Sequence, residues 1–173
     1  KKVMRDSGAR EAKKASTKDE EMNMWKARKL VSPAIVRKKP TKISEDATVP
    51  RSKIPAFLKQ LQEIKKRYGI DLVVFGHAGD GNLHPNIICD KRDAEEMKRV
   101  EQAVAAIFKA ALEMGGTLSG EHGIGTMKSS FMPMEFNETT LELMKRMKQA
   151  WDPNGIMNPG KIFPKQEDRL VLR

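Results

Sequence analysis

The chain has 173 residues, enough to bury a core, and its single cysteine, Cys89, excludes an internal disulfide and a cysteine-rich zinc module. Lysine and arginine outnumber aspartate and glutamate by 33 to 23, which gives a net charge of +10, but acidic residues lie among the basic ones and the chain has one tyrosine. This pattern favours a solvated basic surface over nucleic-acid binding, with attraction of small anionic substrates or of an acidic partner as the alternative.

Helical and irregular segments alternate at the start of the chain. Residues 1–31 are predicted to be helical but broken near residues 15–17. Two X–Pro pairs then predict irregular structure or short helical turns over residues 32–46, followed by a short strand at residues 47–49.

Regular elements dominate the rest of the sequence. Apolar residues at helical spacing predict a helix that Ser52 caps and Gly69 ends. The other predicted elements are strands at residues 71–75, 83–89 and 117–119, a long helix at residues 93–114, and a last helix from Asn137 to Trp151. Because strands mix with helices and a hairpin joins two of them, the predicted fold class is α+β, an antiparallel sheet covered by helices.

Two of the three histidines flank a glycine-rich turn in the segment GHAGDGNLH, residues 76–84. If the Asp-Gly pair formed a two-residue hairpin turn, His77 would lie directly opposite His84. Both imidazoles could then bind one metal ion, and Asn86 would share their face of the sheet. Histidines that only satisfy local hydrogen bonds are the alternative, while the glycine spacing and the strand that follows disfavour a dinucleotide-binding loop.

A second cluster of titratable residues lies in the segment SGEHGIG, residues 119–125. Flanking glycines allow neighbouring side chains to point in unusual directions, so Glu121 could supply an anionic third ligand to the metal. His122 would then be available as a base near pH 7. A surface turn is the alternative for this segment taken alone, but all three histidines of the chain fall within these two clusters.

Three segments in this order, GHAGDGNLHPN, SGEHGIG and DPNGIMNPGKIF, resemble the C-terminal part of FAD-linked oxidases over nearly the whole chain. Within that family they are similar to D-lactate dehydrogenases and glycolate oxidase flavoprotein subunits, which have the vanillyl-alcohol-oxidase type of fold. The resemblance implies that residues 1–150 form the C-terminal part of a ferredoxin-like substrate or cap domain, and that residues 151–173 return toward the flavin domain. The FAD-binding domain would lie upstream, so the chain, which begins at Lys1, is expected to be a fragment.

The resemblance also implies roles for particular residues. It implies that His77, His84 and Glu121 ligate a divalent metal, with zinc expected, and that His122 takes the proton of the substrate hydroxyl. The other implied assignments are substrate binding for Arg28, Asn86 and Ser32, and a position close to FAD for Asn158 and Lys161. Ser32 stands where dicarboxylate-specific relatives have a threonine, and Ser44 stands near the position at which those relatives have a lysine. These two differences favour a substrate smaller than a dicarboxylate.

The implied activity of the complete protein is oxidation of a small D-2-hydroxy acid, of the D-lactate or glycolate class, to the 2-oxo acid by hydride transfer to FAD. The fragment alone is expected to be inactive. Expected partners are the substrate, the FAD-binding domain and an iron–sulfur electron-transfer subunit, with no nucleic acid, and a homo-oligomer is compatible with the sequence. A cytoplasmic location is expected, with contact to a membrane through an electron-acceptor partner left open. The alternatives are a metal-dependent hydrolase and a basic binding module whose histidines are structural.

Overall fold

In the computed structural model, which describes residues 2–163, the chain divides into two units after residue 38. The first unit contains helix α1 (Lys2–Asp6) and helix α2 (Lys18–Ile35), as the broken helical pattern predicted. The prediction that the helix would end before residue 32 is wrong, because α2 runs through Pro33. Proline removes one helical hydrogen bond, and so close to the end of the helix this loss affects only the last turn.

The second unit combines strands with helices. Its described elements are strands β1 (Thr41–Ser44), β2 (Ala47–Thr48), β3 (Asp71–His77) and β4 (Asn82–Cys89), and helices α3 (Ile54–Tyr68), α4 (Ala94–Glu113), α5 (Met132–Glu135) and α6 (Glu138–Trp151). β1 corrects the prediction of irregular structure up to residue 46. The prediction that Ser52 caps α3 is also wrong, because Ser52 lies inside a 3₁₀ turn and the helix begins after Lys53 without a side-chain cap. In the described part of the chain, no helix has the length and apolar character needed to cross a bilayer.

β4 is the central strand of an antiparallel sheet. β1 and β2 follow one another along one edge of β4 without a shift in register, with Ser44 opposite Asn86 and Ala47 opposite Leu83. β3 pairs along the other edge, and a single bridge joins Thr117 to Thr48 outside β2. Taken together, β1 and β2 form the first strand of a ferredoxin-like order, which continues with α3, β3, β4 and α4. The fourth strand of that order is reduced to the single bridging residue Thr117. The predicted α+β class with an antiparallel sheet is confirmed.

The hairpin between β3 and β4 differs from the predicted two-residue turn. His77 pairs with Asn82, and His84 pairs with Phe75, so the two histidines are diagonal neighbours rather than direct partners. The connecting loop takes the four residues 78–81, in which the N–H groups of residues 80 and 81 both donate to the carbonyl of His77. The two histidines still share a face, because alternate residues along each strand point to the same side of the sheet.

The two faces of β4 have different surroundings. Leu83, Ile87 and Cys89 belong to the hydrophobic core, together with α3 residues such as Leu61 and α4 residues such as Phe108. The alternate residues of β4 form a polar row on the other face: Asn82, His84 and Asn86. All three are buried. The sheet therefore has helices on one face and carries a buried row of hydrogen-bonding side chains on the other.

Candidate active site

The three histidines of the chain converge on one carboxylate oxygen, Oε1 of Glu121. His84 Nε2 lies 3.1 Å from this oxygen, His77 Nε2 lies 3.6 Å from it, and His122 Nε2 lies 3.7 Å from it. His77 ends β3 and His84 lies in β4. Glu121 and His122 belong to the loop that follows the bridging residue Thr117. The structure thus brings together the three histidines and the glutamate of the two sequence motifs.

The histidine rings are arranged around the buried ring of His84. The His122 ring stacks on it at a centroid distance of 5.1 Å and an angle of 9°, and the His77 ring meets it edge-on at 5.3 Å and 89°. The side chain of His84 is 7% exposed, whereas those of His77, His122 and Glu121 are 49%, 44% and 51% exposed. The cluster therefore has a closed side at His84 and an open side that a small solute can reach.

The surroundings of His84 favour the neutral imidazole. Burial lowers the pKa of His84 below its ordinary value; the negative charge of Glu121 opposes this effect, and the nearby His122 and His77 add to it. A neutral imidazole is the form that coordinates a metal ion. His84 is thus suited by its burial to act as a ligand rather than as a charged partner of Glu121.

Three side chains of the cluster fit a divalent cation. One ligand atom from each of His77, His84 and Glu121 can be chosen so that all lie within 4.8 Å of one another. Around a tetrahedral ion with bonds of about 2.0–2.1 Å, neighbouring ligand atoms are about 3.3 Å apart, close to the 3.1 and 3.6 Å between the imidazole nitrogens and Glu121 Oε1. Two nitrogens and one carboxylate oxygen are also a donor set that zinc accepts, with positions left for other ligands.

Unpartnered polar atoms are concentrated beside this cluster. Among the described residues, five buried side-chain polar atoms have no hydrogen-bond partner. Only one of them, Glu45 Oε1, lies outside the polar row of β4 and Thr48, the β2 residue that pairs with Asn82. The other four are Thr48 Oγ1, Asn82 Oδ1, His84 Nδ1 and Asn86 Oδ1. Since buried polar atoms are normally paired, such a concentration is typical of a site that receives a polar ligand.

Asp46, which the sequence reasoning missed, holds the loop that carries Glu121 and His122. Its Oδ2 atom accepts hydrogen bonds from the backbone N–H groups of Gly120, Glu121 and His122 at 3.0, 2.7 and 2.8 Å. Burial alone would raise the pKa of Asp46, but the hydrogen bonds from Lys128 and from the loop hold it well below its ordinary value. In the sequence, Glu45-Asp46 resembles an exposed charged turn, so no local pattern identifies the residue.

The remaining predicted site residues lie elsewhere in the fold. Asn86 lies in the polar row and donates through Nδ2 to the carbonyl of His84 at 2.7 Å. Arg28 and Ser32 lie on α2 in the first unit, where Arg28 is exposed and Ser32 half-buried. Asn158 and Lys161 lie on the exposed turn after α6, and Asn158 has a left-handed backbone with a φ of 47°.

The turn after α6 is organised by Asp152. Its two carboxylate oxygens accept the N–H groups of Ile156 and Met157, each at 2.9 Å, and Lys148 pairs with the same carboxylate. The predicted end of the last helix at Trp151 is confirmed. The sequence indicated a helix stop at this aspartate but not its role in ordering the turn that carries Asn158.

Comparison with known proteins finds a family and individual relatives. The family described as "FAD linked oxidases, C-terminal domain" matches residues 1–162. Glycolate oxidase subunit GlcD of Bacillus subtilis (strain 168) is 47% identical over 158 residues, which cover 91% of this chain and 34% of that protein.

Two further relatives have names that specify other hydroxy acids. D-lactate dehydrogenase of Archaeoglobus fulgidus is 34% identical over 164 residues, which cover 95% of this chain and 36% of that protein. D-2-hydroxyglutarate dehydrogenase of Stutzerimonas stutzeri is 39% identical over 147 residues, 82% of this chain and 31% of that protein. The chain spans about a third of the length of these curated relatives.

Proposed function

Because this chain belongs to the FAD-linked oxidase C-terminal domain family, we propose that it is the substrate- and metal-binding part of a flavin-dependent oxidoreductase acting on a small D-2-hydroxy acid. The observation that supports this most strongly is the convergence of all three histidines on Glu121 Oε1, at 3.1 to 3.7 Å. The proposed product is the 2-oxo acid. In this proposal residues 1–150 form the cap part and FAD is bound mainly upstream. Residues 151–173 are proposed to return toward the flavin domain, and of these residues 164–173 lie outside the described part of the chain.

We assign His77, His84 and Glu121 as ligands of a divalent cation, with zinc expected. Their donor separations and the lowered pKa of the buried His84 support this assignment. A cation held there would supply Lewis acidity, which lowers the pKa of a substrate hydroxyl group beside it. The half-exposed His77 and Glu121 leave the site open on the side from which a small acid would enter.

We assign His122 as the base that removes the hydroxyl proton of the substrate. Its stacking on the buried His84 restricts the orientation of its ring, and its own side chain is half-exposed toward solvent. After it accepts the proton, the imidazolium would be stabilised by Glu121, whose Oε1 lies 3.7 Å from His122 Nε2. A flavin bound beside the site would supply the redox chemistry, as the acceptor of the hydride from C2 of the substrate.

The remaining assignments concern substrate and flavin binding. Arg28 would bind the substrate carboxylate, for which a guanidinium group offers two parallel hydrogen bonds. Asn86 would contact the substrate, which its unpartnered and buried Oδ1 supports. Ser32 would contribute to the choice of a small acid of the D-lactate or glycolate class, and Asn158 and Lys161 would lie close to FAD.

We propose that electrons leave the reduced flavin through a partner subunit. The Bacillus subtilis relative is named as a subunit of glycolate oxidase, which supports the expectation that the protein acts within an assembly. An iron–sulfur subunit is the proposed partner. The test measures the rate at which the reduced flavin is reoxidised with such a subunit and with oxygen alone. Faster reoxidation with the subunit would support this assignment, and equal rates would contradict it.

The role of His122 is tested in the complete flavoprotein that contains this chain. His122→Ala should retain flavin but slow anaerobic bleaching of the flavin by D-lactate and glycolate by about 10²-fold or more, because general-base catalysis is lost. Met127→Ala, a change at an exposed residue of the following segment, is the control and should bleach at the wild-type rate. Wild-type rates in His122→Ala would remove its assignment, and absence of bleaching by any 2-hydroxy acid in the wild type would overturn the proposed function.

A further inference from the structure

A buried aspartate lies between the two strand segments that pair along one edge of β4. Asp46 follows β1 and precedes β2, and its side chain is fully buried. One oxygen of its carboxylate accepts three consecutive backbone N–H groups, those of Gly120, Glu121 and His122. Three consecutive N–H groups can meet one oxygen only if the backbone of residues 120–122 curves around it, so the carboxylate fixes the shape of this segment.

Lys128 completes the anchor. Its Nζ donates to the other carboxylate oxygen of Asp46, and also to the carbonyl oxygens of Asp46 and Leu118, each at 3.0 Å. These three acceptors use all three protons of the ammonium group. Because both charged groups are buried and fully hydrogen-bonded, removal of either one would leave the other without compensation.

The loop itself, residues 119–123, is closed by a second set of contacts. Gly123 N–H donates to Ser119 Oγ at 2.8 Å, and the same hydroxyl group lies 3.5 Å from Asp46 Oδ2. A side chain at Gly120 would meet Thr48 Oγ1 at 2.3 Å and Asn82 Cγ at 2.4 Å, so the loop backbone lies directly against the sheet. The loop is therefore fixed from within and from the sheet, while the side chains of Glu121 and His122 point to its open side.

We propose that Asp46, held by Lys128, is the positioning residue of the site: it fixes the loop so that the Glu121 carboxylate meets His77 and His84 and the His122 ring lies against His84. The proposal rests on the proposed function for the roles of these four side chains. A metal site requires metal–ligand distances within about 0.2 Å of their standard values, and loss of an outer partner of a ligand typically costs about 10–100-fold in metal affinity. Here that outer partner acts through the backbone of Glu121 rather than through its carboxylate.

A second buried carboxylate in the chain provides a matched control. Glu96 is paired with Lys39 at 2.5 Å and accepts the N–H group of Asp90 at 2.9 Å, so it has the same kinds of partner as Asp46. Lys39 precedes β1 and Asp90 follows β4, and neither residue belongs to the loop of residues 119–123. A merely structural role for Asp46 would make Asp46→Asn behave like Glu96→Gln.

The experiment compares the two amide variants with the wild-type chain, using Co²⁺ as the probe. Asp46→Asn should bind Co²⁺ about 10–100-fold more weakly and change the Co²⁺ absorption spectrum, while Glu96→Gln keeps the wild-type affinity and spectrum. Amide hydrogen exchange at residues 120–122 should become about tenfold faster or more in Asp46→Asn only, because hydrogen bonds to a charged acceptor are lost. If Asp46→Asn does not fold, Ser119→Ala replaces it in the experiment. This variant should also bind Co²⁺ more weakly and exchange the amide hydrogens of residues 120–122 faster than the wild type, with smaller changes than those expected for Asp46→Asn.

The results separate this proposal from the proposed function. If the wild type binds no Co²⁺, the assignment of a metal site is wrong, and the exchange rates still decide whether Asp46 fixes the loop. If the wild type binds Co²⁺ and Asp46→Asn has the same affinity, spectrum and exchange rates, the positioning role of Asp46 is overturned. Equal losses of affinity in Asp46→Asn and Glu96→Gln would likewise overturn it, because the effect would then be one of general stability.

Discussion

Replacing Gly120 with alanine tests how closely the loop of residues 119–123 packs against the sheet. The added Cβ would lie 2.3 Å from Thr48 Oγ1 and 2.4 Å from Asn82 Cγ, where ordinary contacts begin at 3.4 Å. The backbone of Thr48 is held by two hydrogen bonds with Thr117, at 2.9 and 3.2 Å, and its β-branched side chain has few alternative rotamers. Since overpacking of this kind costs about 1–3 kcal/mol, we expect Gly120→Ala to lower the free energy of unfolding by that amount.

Urea denaturation followed by circular dichroism measures this loss, and Gly125→Ala is the matched control. A Cβ at Gly125 would have no other atom within 4 Å, and this glycine has no positive φ. Its replacement should change the free energy of unfolding by less than about 0.5 kcal/mol. Equal stability of Gly120→Ala and Gly125→Ala would refute the close packing of the loop on Thr48 and Asn82.

Three other substitutions give independent predictions. Burial raises the pKa of Glu45 to about 7, with Lys128 opposing the shift and Asp46 adding to it. Glu45 therefore binds more protons in the folded protein than in the unfolded chain above about pH 4.3, and its own contribution to the free energy of unfolding should fall by about 3 kcal/mol as the pH rises to about 7. The lowered pKa of His84 acts in the opposite direction, so the measured quantity is the difference in free energy of unfolding between the wild type and Glu45→Gln, which should change by about that amount in denaturation curves across this range. Phe108→Ala removes a fully buried ring that packs edge-on against Phe131 at 4.8 Å, and should lower the free energy of unfolding by about 3–5 kcal/mol in urea denaturation; a loss below about 1 kcal/mol would contradict the assigned core. Arg28→Lys in the complete flavoprotein should raise KM for the hydroxy acid about tenfold with normal flavin content, and an unchanged KM would remove Arg28 from the substrate site.

The helices that the sequence predicted best are those with strong local signals. The observed helix Ala94–Glu113 is capped by Asp93, and Glu138–Trp151 is capped by Asn137, each side chain accepting backbone N–H groups of the first turn. Apolar periodicity and capping residues are both contained within a few neighbouring positions. For this reason, the sequence alone predicts the bounds of these two helices to within one residue.

The hairpin register could not be predicted from the Asp-Gly pair. Gly81 accepts a hydrogen bond from the N–H group of Val49 at 3.1 Å, and a Cβ at Gly81 would lie 2.0 Å from the Val49 carbonyl oxygen. Gly81 is therefore engaged with a distant part of the chain instead of occupying the centre of a two-residue turn. The shared face of His77 and His84 was nevertheless predicted correctly, because the observed pairing is displaced by two residues and the side-chain alternation has a period of two.

The support of the site depends on contacts between distant segments. Asp46 and Lys128 are 82 residues apart, and each is one charged residue in a chain that has 33 lysines and arginines and 23 aspartates and glutamates. Nothing in their immediate neighbourhood distinguishes them from exposed residues. Strand β1 was missed for a related reason, since four residues at the edge of a sheet are defined by their pairing with β4 and not by their own pattern.

The most direct test of the central claim is the stoichiometry of divalent cations bound to the purified chain, measured by metal analysis after dialysis against zinc. We predict one equivalent in the wild type, and its loss in both His84→Ala and Glu121→Gln, since each variant removes one of three ligands. Glu96→Gln, a change at a buried carboxylate outside the site, should retain the full equivalent. A wild-type chain without bound cation, or unchanged binding in both ligand variants, would contradict the assignment of His77, His84 and Glu121 as the metal site.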